Sequence, residues 1–285
     1  MTRSVAVPLP STNGTDTGPR QATLHPLLWH ALADAALHVD TILWLVGPPG
    51  SGKTTYATDF ALRHSGRPPF ELQGTPNTTE SSFWGHREFV GETRDVDGPL
   101  AAAVRCGGVF VLNDVGAVPT PVLSTLLPLR ESRHVLNPVS KRVLDVPSTF
   151  RVILASNPEN YRCRQGQAVF HSLLDGCLVL NIAGHATAQI VAILSAQFPA
   201  LERAVIEQAV ATWERFANRS LGGVGPDDNR LRLSLRAARQ YLRLIEHGAR
   251  EADAAQMAFL DKFCHDPDTH EAMRMKHSLG GAEGA

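Results

Sequence analysis

At 285 residues the chain is long enough for one large domain, or a large domain with a small one, and its 43% hydrophobic and 19% charged residues are those of a globular chain with a sizeable core. Its net charge of −1 gives no whole-molecule electrostatic reason to bind nucleic acid or a membrane surface. No stretch approaches the about 18 apolar residues of a membrane span, and the N-terminus has no apolar signal core, so a cytoplasmic location is expected.

Residues 1–22 are rich in Ser, Thr, Gly and Pro without periodicity and read as a disordered leader. His25 to Leu37 is an amphipathic helix, with Leu27, Leu28, Ala31, Leu32 and Ala35 on one face. Thr41 to Val46 (TILWLV) is an apolar run of strand length, and Lys53 to His64 is helical. A short strand follows at Phe70 to Leu72. GPLAAAVRCGG reads as a helix with Pro99 at its first position and Gly107 beyond its end. A buried-type strand, Val109 to Leu112, ends in Asn113-Asp114. Thr120 to Ser132 reads as a helix, and His134 to Val146 as a hairpin with Asn137-Pro138 near its turn. Arg151 to Ser156 and Cys177 to Ile182 are two more buried-type strands. Strands alternating with helices predict a parallel α/β sheet covered on both faces.

After Ile182 the pattern turns helical. Thr187–Phe198, Ala200–Ala217, Ser234–Ala249 and Ala252–Phe263 each suit an amphipathic helix, with Asn218 to Asn229 as a flexible connection. The expected division is a leader (1–22), an α/β domain (23–184), a helical domain (185–278) and a frayed tail (279–285). The four cysteines form no CxxC pair, so neither a zinc site nor a disulfide framework is indicated. His265 and His270, near Cys264, read as surface residues rather than a metal cluster. The excess of 23 arginines over four lysines carries no function.

GPPGSGKT matches the phosphate-loop pattern G-x-x-x-x-G-K-[ST] at Gly47, Gly52, Lys53 and Thr54, and it lies between an apolar strand and a helix, as that pattern requires. Glycines let the backbone curl so that its N–H groups face phosphate oxygens. The following helix adds its positive N-terminal end. Lys53 should reach the β- and γ-phosphates, and Thr54 should offer a hydroxyl to Mg²⁺. The expected phosphate-binding set is Gly47, Pro48, Pro49, Gly50, Ser51, Gly52, Lys53, Thr54 and Thr55, with ATP and Mg²⁺ as ligands.

In an open parallel sheet, ligands bind beyond the carboxyl ends of the strands. Two other strands end in polar residues there: Leu112 is followed by Asn113-Asp114, and Ser156 by Asn157. Thr54, Asn113 and Asp114 are the candidate metal residues. Asp114 would orient the attacking water, and Asn157 would position water or the γ-phosphate. Standing alone, Asn113-Asp114 would read as a turn or helix cap after a strand.

From Leu43 to Leu244 the chain resembles AAA+ ATPases of the MoxR-like, dynein-related branch. The resemblance rests on GPPGSGKTT, TTESSFWGHRE, DGPLAAAVRCGGVFVLND, PVLSTLLPLRES, the hairpin, FRVILASNPENY and SLRAARQYL, in that order. It implies a P-loop parallel five-stranded sheet sandwiched by helices, followed by a small all-α lid domain. It implies that Asn113 stands where the family has a Mg²⁺-associated Asp, and Asp114 where it has the catalytic Glu. It puts Asn157 at sensor 1 and Arg236, which alone would read as a solvated helix arginine, at sensor 2. It also implies a ring, usually of six subunits, and a chaperone-like role on a protein partner, often one with a von Willebrand A-type domain. In the same family the loop holding Phe83 and Trp84 often faces a central pore, although an aromatic pair equally suits core packing.

Three residues depart from the family. Asn113 brings no charge, which should weaken Mg²⁺ binding. Asp114 is one methylene shorter than Glu, so a water it held would shift by on the order of 1 Å, a displacement that can cost ~10²-fold. Gly176 follows Asp175 where the family has an arginine that reaches the neighbouring subunit's nucleotide; Arg162 or Arg164 are the nearby substitutes. A working remodelling ATPase and a hydrolysis-impaired nucleotide-binding subunit, acting as a switch or in a mixed ring, therefore both fit. A small-molecule kinase fits less well, given Asn157 and the long helical end. A GTPase is disfavoured by the lack of an NKxD motif.

Overall fold

The computed structural model describes residues 26–89, 92–130, 132–158, 168–219 and 234–263. The leader, the tail, Arg162, Arg164 and most of the expected flexible connection lie outside them.

Helix α1 (Pro26–Val39) leads into strand β1 (Ile42–Val46), and α2 (Lys53–Ser65) into β2 (Phe70–Gln73). A short helix α3 (Glu80–Trp84) and strands β3 (Gly85–Phe89) and β4 (Thr93–Asp97) precede α4 (Pro99–Cys106) and β5 (Val109–Asn113). Then come α5 (Thr120–Leu123), strands β6 (His134–Leu136), β7 (Val143–Asp145) and β8 (Arg151–Ser156), α6 (Ala168–Asp175) and β9 (Leu178–Asn181). Five strands form one sheet in the order β2-β5-β8-β1-β9, with every pairing parallel. This is the expected P-loop α/β architecture, with helices following.

The continuous apolar runs became the central strands. Every residue of β1, the first four of β5 and the last five of β8 are buried. A parallel strand covered on both faces has no solvent side, hence no polar alternation. Alternate residues serve alternate faces. Leu43, Leu45, Val109, Val111 and Ile153 pack with Trp29, Leu37, Tyr56 and Phe60 from α1 and α2. Trp44, Phe110, Leu112, Val152 and Leu154 pack on the other face with Leu100 and Val104 of α4 and Leu173 of α6. On the first face Tyr56 Oη donates to Asp34 Oδ1 at 2.8 Å, and Arg63 forks onto both oxygens of Asp34 at 3.1 Å, clamping α1 to α2.

One local expectation is corrected. Thr120 to Ser132 is not one α-helix: after Leu123 it tightens to a 3₁₀ stretch, Ser124–Leu129, which contains Pro128. Proline lacks the N–H that an α-helical bond would need, and short 3₁₀ pieces tolerate it. Of the two readings of Phe83 and Trp84, core packing is the one that the structure bears out. Both are buried, Phe83 against Phe110 with ring centroids 5.8 Å apart. Trp84 Nε1 donates to Thr125 Oγ1. The hairpin β3–β4, which the sequence reading missed, follows them directly, and it is Phe89 near its tip that is 78% exposed.

The remaining helices are α7 (Thr187–Gln197), α8 (Arg203–Arg219), α9 (Leu235–Glu246) and α10 (Glu251–Ala255). Helix α10 continues as a π turn, Gln256–Leu260, and a 3₁₀ turn, Asp261–Phe263. They enclose a second core around Leu194, Ala209, Val210, Ala238, Leu242 and Phe259. Among the described residues no helix is long and apolar enough to cross a membrane.

Candidate functional site

The loop after β1 is fixed from beneath. Trp44 Nε1 donates to Ser156 Oγ at 2.9 Å, and Gly47 N to Ser156 O at 3.1 Å, so β8 anchors the point where the loop leaves the sheet. Gly50 and Gly52 take φ of 83° and 89°, the left-handed region that favours glycine. Gly52 ends the loop and caps α2 without a side chain. The first N–H groups of that helix therefore keep their capacity for an anion. Lys53 Nζ donates to the carbonyls of Gly47 at 2.6 Å and Pro48 at 3.0 Å, and lies 3.4 Å from Ser51 Oγ. The ammonium thus folds over its own loop.

A cleft of about 510 Å³ opens above this loop. Pro49 to Thr55 line it together with Asn113, Asp114, Asn157 and Arg236. Gly47 and Pro48 do not line it; their carbonyls accept hydrogen bonds from Lys53, which does. Sequence separation hides this grouping, and the parallel register creates it: Val46 pairs with Ser156, and Leu112 with Leu154, so β1, β5 and β8 end side by side.

Thr54 Oγ1 donates to Asn113 Oδ1 at 3.3 Å. Hydroxyl and amide oxygens are hard donors of the kind Mg²⁺ accepts, but both are neutral. The residues therefore fit the ion as a weakly charged site, with Thr54 as the direct oxygen and Asn113 beside it. Asp114 has φ 50° and ψ 50°, a left-handed conformation that Asp tolerates better than most residues. Its Oδ2 accepts a hydrogen bond from Gln73 Nε2 at 2.6 Å. Gly74 permits that closeness: its N–H donates to Asn113 O at 2.8 Å, and an added Cβ would stand 2.5 Å from Asp114 O.

Arg236 is exposed on the cleft side of α9, and Arg239, one turn on, lines the same cleft. Trp213 Nε1 donates to Ser234 O at 3.1 Å and fixes the start of α9. The phosphate loop touches that start, for a Cβ on Gly50 would lie 3.2 Å from Leu235 Cβ. The Arg239 Nε is buried without a hydrogen-bond partner among the described residues, as is His185 Nδ1 in the connection before α7. Burial, and then the nearby Arg239 charge, hold the His185 pKa below the usual imidazole value.

Gly176 is also explained. A Cβ there would stand 1.6 Å from the Arg130 guanidinium, whose Nη1 donates to Ser172 O at 3.2 Å. The arginine tip that follows the 3₁₀ stretch occupies the space that a side chain at 176 would need.

The sequence reading did not find Glu71, Gln73, Arg239 or His185. A signal existed for Arg239, three residues after Arg236 and so on the same helix face. The other three owe their place to long-range packing.

Residues 42–175 match the AAA domain (dynein-related subfamily) family. Protein NorQ of Paracoccus denitrificans (strain Pd 1222) is 30% identical over 131 residues, 45% of this chain. That match spans 48% of the NorQ protein, about half its length. Protein CbbQ of Hydrogenophilus thermoluteolus is 25% identical over 256 residues, 86% of this chain and 92% of that protein. The parallel sheet, the loop after β1 and these matches agree: residues 42–175 are an AAA domain of the dynein-related subfamily, the branch to which the MoxR-like resemblance of the sequence points.

Proposed function

We propose that the chain binds ATP with Mg²⁺ in the cleft between the sheet and α9 and uses the nucleotide to remodel a protein partner. The observation that carries this is the convergence of Lys53, Thr54, Asn113, Asp114, Asn157 and Arg236 on one cleft from four separate segments. In this reading the loop N–H groups and Lys53 hold the phosphates, and Thr54 and Asn113 hold the ion. Asp114 orients the attacking water and takes its proton. Asn157 positions that water, and Arg236 contacts the γ-phosphate. Bound Mg²⁺ would neutralise charge on the β- and γ-phosphate oxygens.

The working unit is a ring, expected to be hexameric. Family resemblance favours a partner with a von Willebrand A-type domain. The cytoplasm, where ATP and Mg²⁺ are abundant, is the proposed location. Mass photometry with ATP tests the ring: a single peak at the monomer mass of 30.8 kDa counts against it.

A second reading, a nucleotide-binding subunit that hydrolyses slowly, has its own support. Asp114 is engaged by Gln73, Asn113 is neutral, and Gly176 offers no arginine. Steady-state ATP hydrolysis separates the two, with Lys53→Ala as the control. Turnover above that control supports the remodelling ATPase. Turnover equal to it, with ATP still bound by the unaltered chain, supports the slow subunit. In that case Asn113→Asp with Asp114→Glu and Gly176→Arg should raise the rate, provided the new arginine displaces the flexible Arg130 tip.

A further inference from the structure

Strand β2 forms one edge of the sheet and runs parallel to β5, with Glu71 paired to Val111 and Gln73 to Asn113. Its inward residues, Phe70 and Leu72, pack into the core on the α4 side. Val111 belongs to the opposite core, on the α2 side. Side chains of paired residues in a parallel ladder share a face. Glu71 and Gln73 therefore project with Asn113 on the α2 face, toward the phosphate loop, and both line the cleft.

The charges in that cleft are uneven. Lys53, Arg236 and Arg239 are cationic, and among the described lining residues only Glu71 and Asp114 are acidic. Asp114 commits Oδ2 to Gln73. Glu71 makes no hydrogen bond or ion pair among the described residues, so both its oxygens are uncommitted. Two positions along a strand span about 6.6 Å, which sets the Glu71 backbone back from Asn113 by more than a direct bond allows. Glutamate's length makes up part of that gap, and one water can bridge the rest. Mg²⁺ keeps several of its waters and binds through one or two carboxylates together with phosphates. The neutral pair Thr54 and Asn113 leaves that carboxylate place open.

We propose that Glu71 supplies the missing negative charge of the divalent-cation site, holding coordinated waters of the Mg²⁺ that ATP carries. It acts as a positioning residue through water, from the strand next to the one that would ordinarily provide the acid. The proposal rests on the nucleotide-binding reading above. The competing account is a solvated charge that guards an exposed sheet edge against pairing with other chains.

The two accounts differ in sign. A carboxylate near the phosphates repels metal-free ATP and favours the metal-bound form. The test measures, by calorimetry on the full chain, the Kd for ATP in EDTA and the Kd for MgATP. Glu71→Gln should tighten the first and weaken the second, so that their ratio falls about tenfold. Asn113→Asp in the Glu71→Gln background should restore the ratio, which also shows that the variant is folded. Equal shifts in both constants, or none, overturn the proposal and leave Glu71 as an edge charge. If the unaltered chain binds neither form, the nucleotide-binding reading itself fails, and this inference with it.

Discussion

The hydrogen bond from Gln73 to Asp114 is the feature of the site with the most direct chemical consequence. A donor at 2.6 Å occupies one of the Asp114 oxygens and fixes the carboxyl's orientation, which withdraws that oxygen from an attacking water. Gln73→Ala should therefore raise basal ATP turnover by roughly tenfold or more, since a hydrogen bond to a charged group is worth about 1.5–3 kcal/mol. Asp114→Asn should abolish turnover in the same assay. A Gln73→Ala rate equal to or below that of the unaltered chain would show that the bond orients Asp114 productively instead. Sequence could nominate Asp114, because it follows an apolar strand in a chain with a phosphate loop. Gln73 was out of reach, because the bond joins residues 41 positions apart and exists only once β2 and β5 align. The same holds for Arg130, whose place over Gly176 depends on where the 3₁₀ stretch ends.

Elements were legible in proportion to their burial. Strands β1, β5 and β8 are apolar because both faces are covered, and that run survives in the sequence. The hairpin β3–β4 left no such trace. Half of its strand residues are charged, and it is held by polar contacts: Arg87 Nε to Asp95 at 2.9 Å, and Arg87 Nη2 to Ser140 O at 2.9 Å on the β6–β7 hairpin. Asn137 Nδ2, also from that hairpin, donates to Trp84 O at 3.3 Å. Aromatic residues around this element thus fall into two classes that sequence alone could not separate. Trp84→Ala removes a fully buried ring and should cost about 3–5 kcal/mol. Phe89→Ala, at an exposed tip, should stay within about 0.5 kcal/mol. Thermal melting checks both. Similar losses at the two positions would mean that Phe89 is covered in the assembled protein.

At the scale of the whole molecule, two cores meet at the cleft: the sheet with its helices, and the core formed by α7 to α10. They touch where Gly50 approaches Leu235, with His185 in the connection between them. A nucleotide bound there contacts both sides, so its binding energy should appear as stabilisation of the joint. At ATP concentrations near 100 times Kd the linkage gain is about 2.7 kcal/mol. Arg239 is the residue that isolates this effect. Its buried Nε, without a partner among the described residues, is a cost in the nucleotide-free protein, so Arg239→Ala should leave the free protein as stable as before or slightly more so. With ATP, losing one charge-assisted contact should weaken binding by about 10- to 100-fold, leaving a gain of about 0.4–1.4 kcal/mol at the same concentration. Differential scanning calorimetry with and without MgATP reads both numbers from one variant. A loss of stability without ATP, and an unchanged gain with it, would make Arg239 a packing residue of α9 and detach that helix from the nucleotide.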